Sequence, residues 1–79
     1  MKMRVKLYGT LSQRFPGYQY SQGIEVEIPD GATAKGLLVL LGISESQGAV
    51  VAMEGRILKA DDKIRSGVQV HVFQALHGG

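Results

Sequence analysis

The end of this sequence is the part best suited to chemistry. Residues 74–79 read Gln74, Ala75, Leu76, His77, Gly78 and Gly79, and none is Asp, Glu, Lys or Arg. The last formally charged side chain before them is Arg65, so the α-carboxylate of Gly79 is the only firm negative charge in this segment. Extended, a segment of this length reaches roughly 20 Å, at about 3.3–3.6 Å per residue. The pattern predicts a flexible tail that presents a terminal carboxylate.

The terminal diglycine has two interpretations. The plain one is a frayed chain end, since glycine is common in this chain, at 11 of 79 residues. The functional one is a terminus that enters a narrow active site, because glycine has no side chain to obstruct it and tolerates unusual backbone angles. A carboxylate is ionised at neutral pH and is a poor acyl donor, so the functional interpretation requires an activating step.

Other chemistry-bearing side chains are few. There is no cysteine, which excludes a thiolate nucleophile, a disulfide and a persulfide on this chain. His71 and His77 are the only imidazoles, and no carboxylate stands at metal-binding spacing from them. We interpret His71 as a surface or interface residue and Asp61-Asp62 as a solvated turn. With no phosphate-binding glycine loop and no triad order, the sequence predicts no catalytic residue, no metal ligand and no bound cofactor.

Composition excludes further classes of function. Nine Lys and Arg against seven Asp and Glu give a net charge of +2, too weak to indicate nucleic-acid binding. The apolar run over residues 37–41 is too short to cross a membrane, and no longer one occurs. The opening residues alternate charge with hydrophobicity, unlike a signal peptide. We therefore expect one small domain in the cytoplasm, with no nucleic-acid or membrane partner.

Five strands are predicted from hydrophobic patterning. They span residues 3–8, 24–28, 49–53, 56–58 and 68–73. The first, second and last alternate apolar and polar side chains, and 49–53 is wholly apolar, as in a buried strand. Glu54-Gly55 joins the third and fourth strands with glycine where a tight hairpin needs a positive φ.

Two helices are predicted between these strands. Residues 34–41 carry a buried leucine stripe, with Thr33 as N-cap and Gly42 as C-cap. A shorter helix over residues 10–15 has Thr10 and Gln13 at capping-box spacing.

The order of elements indicates an α+β fold. A hairpin, a helix that returns the chain to the sheet, and a last strand beside the first make a ubiquitin-like β-grasp. We expect a mixed sheet of four to five strands with one main helix packed across one face. The domain is predicted to span residues 1–73, followed by a flexible tail over 74–79.

The last strand also predicts a surface feature. If Val68, Val70 and Val72 face the helix, Phe73 faces the open side of the sheet. Phe73 then either covers the edge of the core or, with Leu76, forms a patch that docks a partner. We predict the partner interface.

The whole chain resembles the MoaD/ThiS-type sulfur carriers, which are the small subunit of molybdopterin synthase and the sulfur carrier of thiamine biosynthesis. The resemblance lies in VKLYGTL, EIPDGATAKGLLVLLG, MEGR, DDKIRSGVQVHVF and the terminal GG. The opening strand that leads into a short helical segment is more similar to the molybdopterin branch. Three features depart from the family: Glu54-Gly55 replaces the usual Asn-Gly, Val68 replaces the usual Asp, and the tail ALHGG lacks a proline.

The resemblance implies a function for the terminus. An E1-like enzyme uses ATP to adenylate Gly79, and sulfur from a persulfide enzyme then converts it to a thiocarboxylate. The large subunit of a synthase, or another acceptor enzyme, receives the sulfur, most directly for molybdopterin. Gly78, His77 and Leu76 thread the partner's channel. The alternatives are a thiamine or other sulfur pathway, a ubiquitin-like protein modifier, and a non-covalent β-grasp interaction module.

Overall fold

A five-stranded mixed sheet and one main helix make up the fold. The computed structural model describes residues 1–43 and 48–74. In chain order the elements are β1 (Lys2–Leu7), a 3₁₀ helix (Gly9–Arg14), β2 (Ile24–Glu27), α1 (Ala34–Leu41), β3 (Ala49–Met53), β4 (Arg56–Leu58) and β5 (Val70–Gln74). The strand order across the sheet is β2-β1-β5-β3-β4. β1 and β5 run parallel at the centre and the other neighbours are antiparallel, as the predicted β-grasp requires.

The sheet and α1 share one hydrophobic core. The buried cluster joins three of the four leucines of α1 to alternate residues of the strands: Leu37, Leu38 and Leu41 with Met3, Val5, Leu7, Val51, Met53, Val70 and Val72. Because successive side chains of a strand point to opposite faces, the residues between these point away from α1. The sheet therefore has a second face, the open face, which α1 does not cover.

The local signals around α1 and the hairpin are confirmed. The Thr33 hydroxyl oxygen accepts a hydrogen bond from the backbone N–H of Gly36 at 3.1 Å, and Gly42 ends the helix with a φ of 75°. Glu54 and Gly55 have φ values of 53° and 78°, so both adopt the left-handed conformation of a tight hairpin turn. The signals that predicted these elements lie in neighbouring residues.

Two local predictions were wrong in detail. The short helix is a 3₁₀ helix preceded by Tyr8, and no side chain caps it. The hydroxyl of Thr10, predicted to cap it, instead donates to Gln74 Oε1 at 2.7 Å. β5 spans Val70–Gln74, so it begins two residues later and ends one residue later than the predicted strand over 68–73. The rest of the predicted tail, residues 75–79, lies outside the described residues.

Gly23 is the glycine that the sheet constrains most tightly. Its φ is +67°, and a Cβ there would lie 2.6 Å from the backbone oxygen of Val5. We expect Gly23→Ala to lower the free energy of unfolding by about 3 kcal/mol, because backbone strain and a clash with a central strand combine.

Gly31→Ala is the matched control for this prediction. Gly31 has a φ of +82° but open space around its Cα, so alanine there meets strain without a clash and costs about 1 kcal/mol. Urea unfolding of both variants makes the comparison. Equal destabilisation by the two substitutions would contradict the proposed close contact with β1.

Candidate docking face and chain end

The open face of the sheet carries a continuous apolar patch. Phe73 and His71 point outward from β5, opposite to the buried Val72. The register places Val50 beside Phe73 and Ala52 beside His71, so these side chains share the open face. Phe73, His71, Ala52 and Tyr8 line a shallow groove on this face. The predicted orientation of Phe73 is thus correct, and the side chain is half-buried.

Tyr8 holds His71 in place on this face. The Tyr8 hydroxyl and His71 Nδ1 are 2.8 Å apart, and the two rings stack with centroids separated by 5.8 Å. His71 therefore lies on the surface, as predicted, with one ring nitrogen engaged by a neighbouring side chain. The arrangement gives the patch a fixed aromatic edge.

The charge on the open face is uneven. On β1, Lys2 and Arg4 lie opposite Glu27 and Glu25 of β2, and Arg4 is 3.9 Å from the Glu25 carboxylate. Lys6 lies farther along, beside His71 in the β1–β5 register. The apolar patch is therefore flanked by a lysine on the side of β1, a pattern that suits a partner with an apolar surface and an acidic rim.

Of the segment predicted to carry the reactive terminus, only Gln74 lies within the described residues. Leu76, His77, Gly78 and Gly79 lie outside the described residues, so their assigned roles stay predictions. What the structure places is Gln74, the last residue of β5, which pairs with Ala49 of β3. The chain thus leaves the sheet from its central parallel pair of strands, next to Phe73.

Sequence reasoning missed two residues near this point. Tyr8 and Thr10 contact His71 and Gln74 through side-chain hydrogen bonds that span more than sixty positions of the chain. The expected pairing of the first and last strands was the one signal for these contacts. It brings the residues after β1 close to those that end β5.

Other classes of site are not seen within the described residues. No group of three or more His, Asp or Glu could hold a metal ion there. The Asp62 carboxylate accepts from the backbone N–H of Lys59 at 2.8 Å, which fits the interpretation of Asp61-Asp62 as a turn. None of the helices in the described segments is long and apolar enough to cross a membrane.

A comparison with known protein families identifies the family of this chain. A sequence profile of the ThiS family matches residues 5–79, which runs from within β1 to Gly79. This chain belongs to the ThiS family. The resemblance seen in its motifs is thereby confirmed over nearly the whole sequence. No curated protein sequence matches this ThiS-family chain.

Solved structures confirm the fold of this ThiS-family protein. A crystal structure of SAMP1 from Haloferax volcanii is 18% identical and superposes with a TM-score of 0.67, covering 100% of both chains. A crystal structure of small archaeal modifier protein 1 from the same organism is 16% identical, with a TM-score of 0.70 over 95% of this chain and 98% of the other. The likeness establishes the ubiquitin-like β-grasp fold.

Proposed function

We propose that this protein is a sulfur carrier that bears sulfur as a thiocarboxylate on Gly79. The observation that carries the proposal is the ThiS-family match through the terminal Gly78-Gly79 pair on a β-grasp domain. The chain has no cysteine, so a persulfide on its own side chains is excluded. The terminal carboxyl group is then the sulfur site that the chain offers.

The chemistry takes place in two stages on partner enzymes. A carboxylate oxygen of Gly79 attacks the α-phosphorus of ATP on an E1-like enzyme, pyrophosphate leaves, and an acyl-adenylate forms. A persulfide of a sulfur-donor enzyme attacks the acyl carbon and AMP leaves, giving an acyl disulfide. A thiol then cleaves the S–S bond, is itself oxidised to a disulfide, and releases the thiocarboxylate.

The role of this chain is that of a co-substrate, and it supplies no catalytic residue. It uses no bound cofactor, because the activating enzyme provides the ATP site. Its contribution is a glycine terminus that fits a narrow channel and a folded domain that binds the partners. We place it in the cytoplasm with those partners.

The open face is the proposed docking surface. Phe73 stands there between Val50 and Tyr8, and it adjoins Gln74, from which residues 75–79 continue. A partner that covers this face would therefore receive the terminal segment close to its own active site. Leu76 would extend the apolar contact along the tail.

Among sulfur pathways, molybdopterin synthesis is the proposed one. The 3₁₀ helix that follows β1 at Gly9–Arg14 is the feature that favours this branch. The large subunit of a synthase would then be the sulfur acceptor, and a thiamine or other pathway is the alternative.

Protein modification is a second candidate function. The two solved structures described above are of a small archaeal modifier protein. Activation of the terminal glycine is common to both functions, and they differ in the acceptor. A lysine amine that attacks the activated carbonyl would give an isopeptide bond in place of a thiocarboxylate.

Intact mass spectrometry tests the proposal. The protein is incubated with ATP, its cognate E1-like enzyme and a persulfide donor. We expect a product in which one oxygen is replaced by sulfur. Conjugates to protein lysines without that product would favour the modifier. If the same enzyme activates another carrier under these conditions, but the mass of this protein is unchanged and no conjugate forms, both the carrier and the modifier functions are refuted.

A further inference from the structure

We propose that Thr10 is a positioning residue for the reactive terminus. Its hydroxyl donates to Gln74 Oε1 at 2.7 Å. Gln74 ends β5, so this bond holds the residue at which the terminal segment begins. The proposal rests on the sulfur-carrier function above. It gives a role to Thr10, which that function by itself does not require.

The segment after β1 follows β5 to its last residue. The backbone N–H of Tyr8 donates to the Val72 carbonyl at 3.1 Å, and its hydroxyl contacts His71 Nδ1 at 2.8 Å. Thr10 then reaches Gln74, two residues beyond Val72. Three successive contacts thus continue the parallel β1–β5 pairing beyond the end of β1.

Thr10 itself stands on a firmly held element. The next residue, Leu11, is only 1% exposed in the core. Within the 3₁₀ helix the Ser12 hydroxyl donates to the Gly9 carbonyl at 2.8 Å, and Arg14 donates to the Gly42 carbonyl at the end of α1 at 2.9 Å. The donor of the Thr10–Gln74 bond is therefore fixed to the core and to α1.

Gln74 is held on its other side by β3. It pairs with Ala49 in the antiparallel register, so β3 fixes its backbone while Thr10 fixes its side chain. An end held from both sides has a defined direction. Loss of the Thr10 contact removes this hold on the side chain and widens the range of directions in which the following residues start.

This range matters because the attack of the Gly79 carboxylate on the α-phosphorus of ATP needs a precise approach. A reacting carboxylate must lie within about 3–3.5 Å of its target with the correct alignment. Gly79 lies five residues beyond Gln74, so the position and direction of Gln74 set the region that the terminal carboxylate can reach. The contact should therefore affect the adenylation step itself more than the binding of the domain, since Phe73, Tyr8 and His71 of the docking face are unchanged.

Thr10→Val and Thr10→Ser form a matched pair for the test. Valine keeps the branched shape without the donor, and serine keeps the donor. The readout is ATP–pyrophosphate exchange by the cognate E1-like enzyme, with the carrier as varied substrate. We expect Thr10→Val to lower kcat about two- to ten-fold, the range that one hydrogen bond supports, with KM within about two-fold of wild type. Thr10→Ser should retain most of the wild-type kcat.

Gln74→Met provides an independent arm from the acceptor side. It should lower kcat similarly, and the double variant Thr10→Val/Gln74→Met should lower it little further, because both substitutions remove the same bond. Circular dichroism and urea unfolding check that each variant is folded.

The outcomes separate this inference from the proposed function. A wild-type kcat for Thr10→Val, an equal loss for Thr10→Ser, or a change in KM alone would overturn the positioning role while the carrier function stands. An absence of exchange with the wild-type protein would overturn the carrier function and this role with it.

Discussion

Deletion of Gly79 is expected to abolish thiocarboxylation and to leave the fold intact. Removing one residue draws the terminal carboxylate back by up to about 3.5 Å, more than the reactive geometry tolerates. Among the described residues the last member of the core is Val72, seven positions before Gly79, so we expect the core to tolerate the deletion. Formation of the thiocarboxylate in the presence of ATP, the activating enzyme and a sulfur donor is the measurement, with far-UV circular dichroism to check folding.

Two kinds of variant control this deletion. Adding a residue after Gly79 should be equally damaging, because the reactive carboxylate then belongs to another residue beyond the intended position. Arg65→Ala should leave the reaction unchanged, since Arg65 pairs with Glu54 at 2.8 Å on the exposed surface of the domain. Gly78→Ala should be intermediate if the channel is narrow. A folded deletion variant that is thiocarboxylated at the wild-type rate would show that the diglycine is incidental.

Replacement of Phe73 by alanine is expected to weaken docking more than about ten-fold, the effect of removing an aromatic residue that anchors an interface. Its side chain lies on the open face, between Val50 and Tyr8 and away from the core. The free energy of unfolding should therefore fall by less than about 1 kcal/mol. Titration calorimetry with the activating enzyme and urea unfolding give the two values.

Two apolar residues provide the comparison for Phe73. Val39 is 69% exposed on α1, on the other side of the molecule, and Val39→Ala should alter neither docking nor stability appreciably. Val72 is fully buried, and Val72→Ala should lower the free energy of unfolding by about 2 kcal/mol through the cavity it leaves. If Phe73→Ala instead costs several kcal/mol of stability, Phe73 belongs to the core and the docking role is wrong.

Elements with local signals could be predicted from the sequence. α1 begins and ends at the predicted residues, because the Thr33 cap and Gly42 act within a turn of the helix. β3 also has its predicted bounds, because a short apolar run between turn residues is typical of a buried strand. The orientation of Phe73 followed from its alternation with Val70 and Val72 in the last strand.

Contacts between distant residues could not be predicted in this way. Thr10 had the spacing of a helix cap, but its hydroxyl donates to Gln74 of β5, at the opposite end of the chain. Val68 fitted the alternating pattern, yet pairing starts only at Val70, which lies opposite Met53. The positions of Tyr8 and Thr10 beside β5 result from the parallel pairing of the first and last strands, which no local pattern specifies.

The central claim is that sulfur is carried on the carboxyl group of Gly79, and the C-terminal tryptic peptide tests it most directly. The last Lys or Arg is Arg65, so trypsin releases residues 66–79 as one peptide. That peptide contains no Cys, Met or Trp, which removes the side chains most prone to oxidation and leaves the terminus as the site for sulfur. After reaction with ATP, the activating enzyme and a sulfur donor, high-resolution fragmentation should place a sulfur-for-oxygen exchange on Gly79. An unmodified peptide, or a mass change located on any other residue, would contradict the claim.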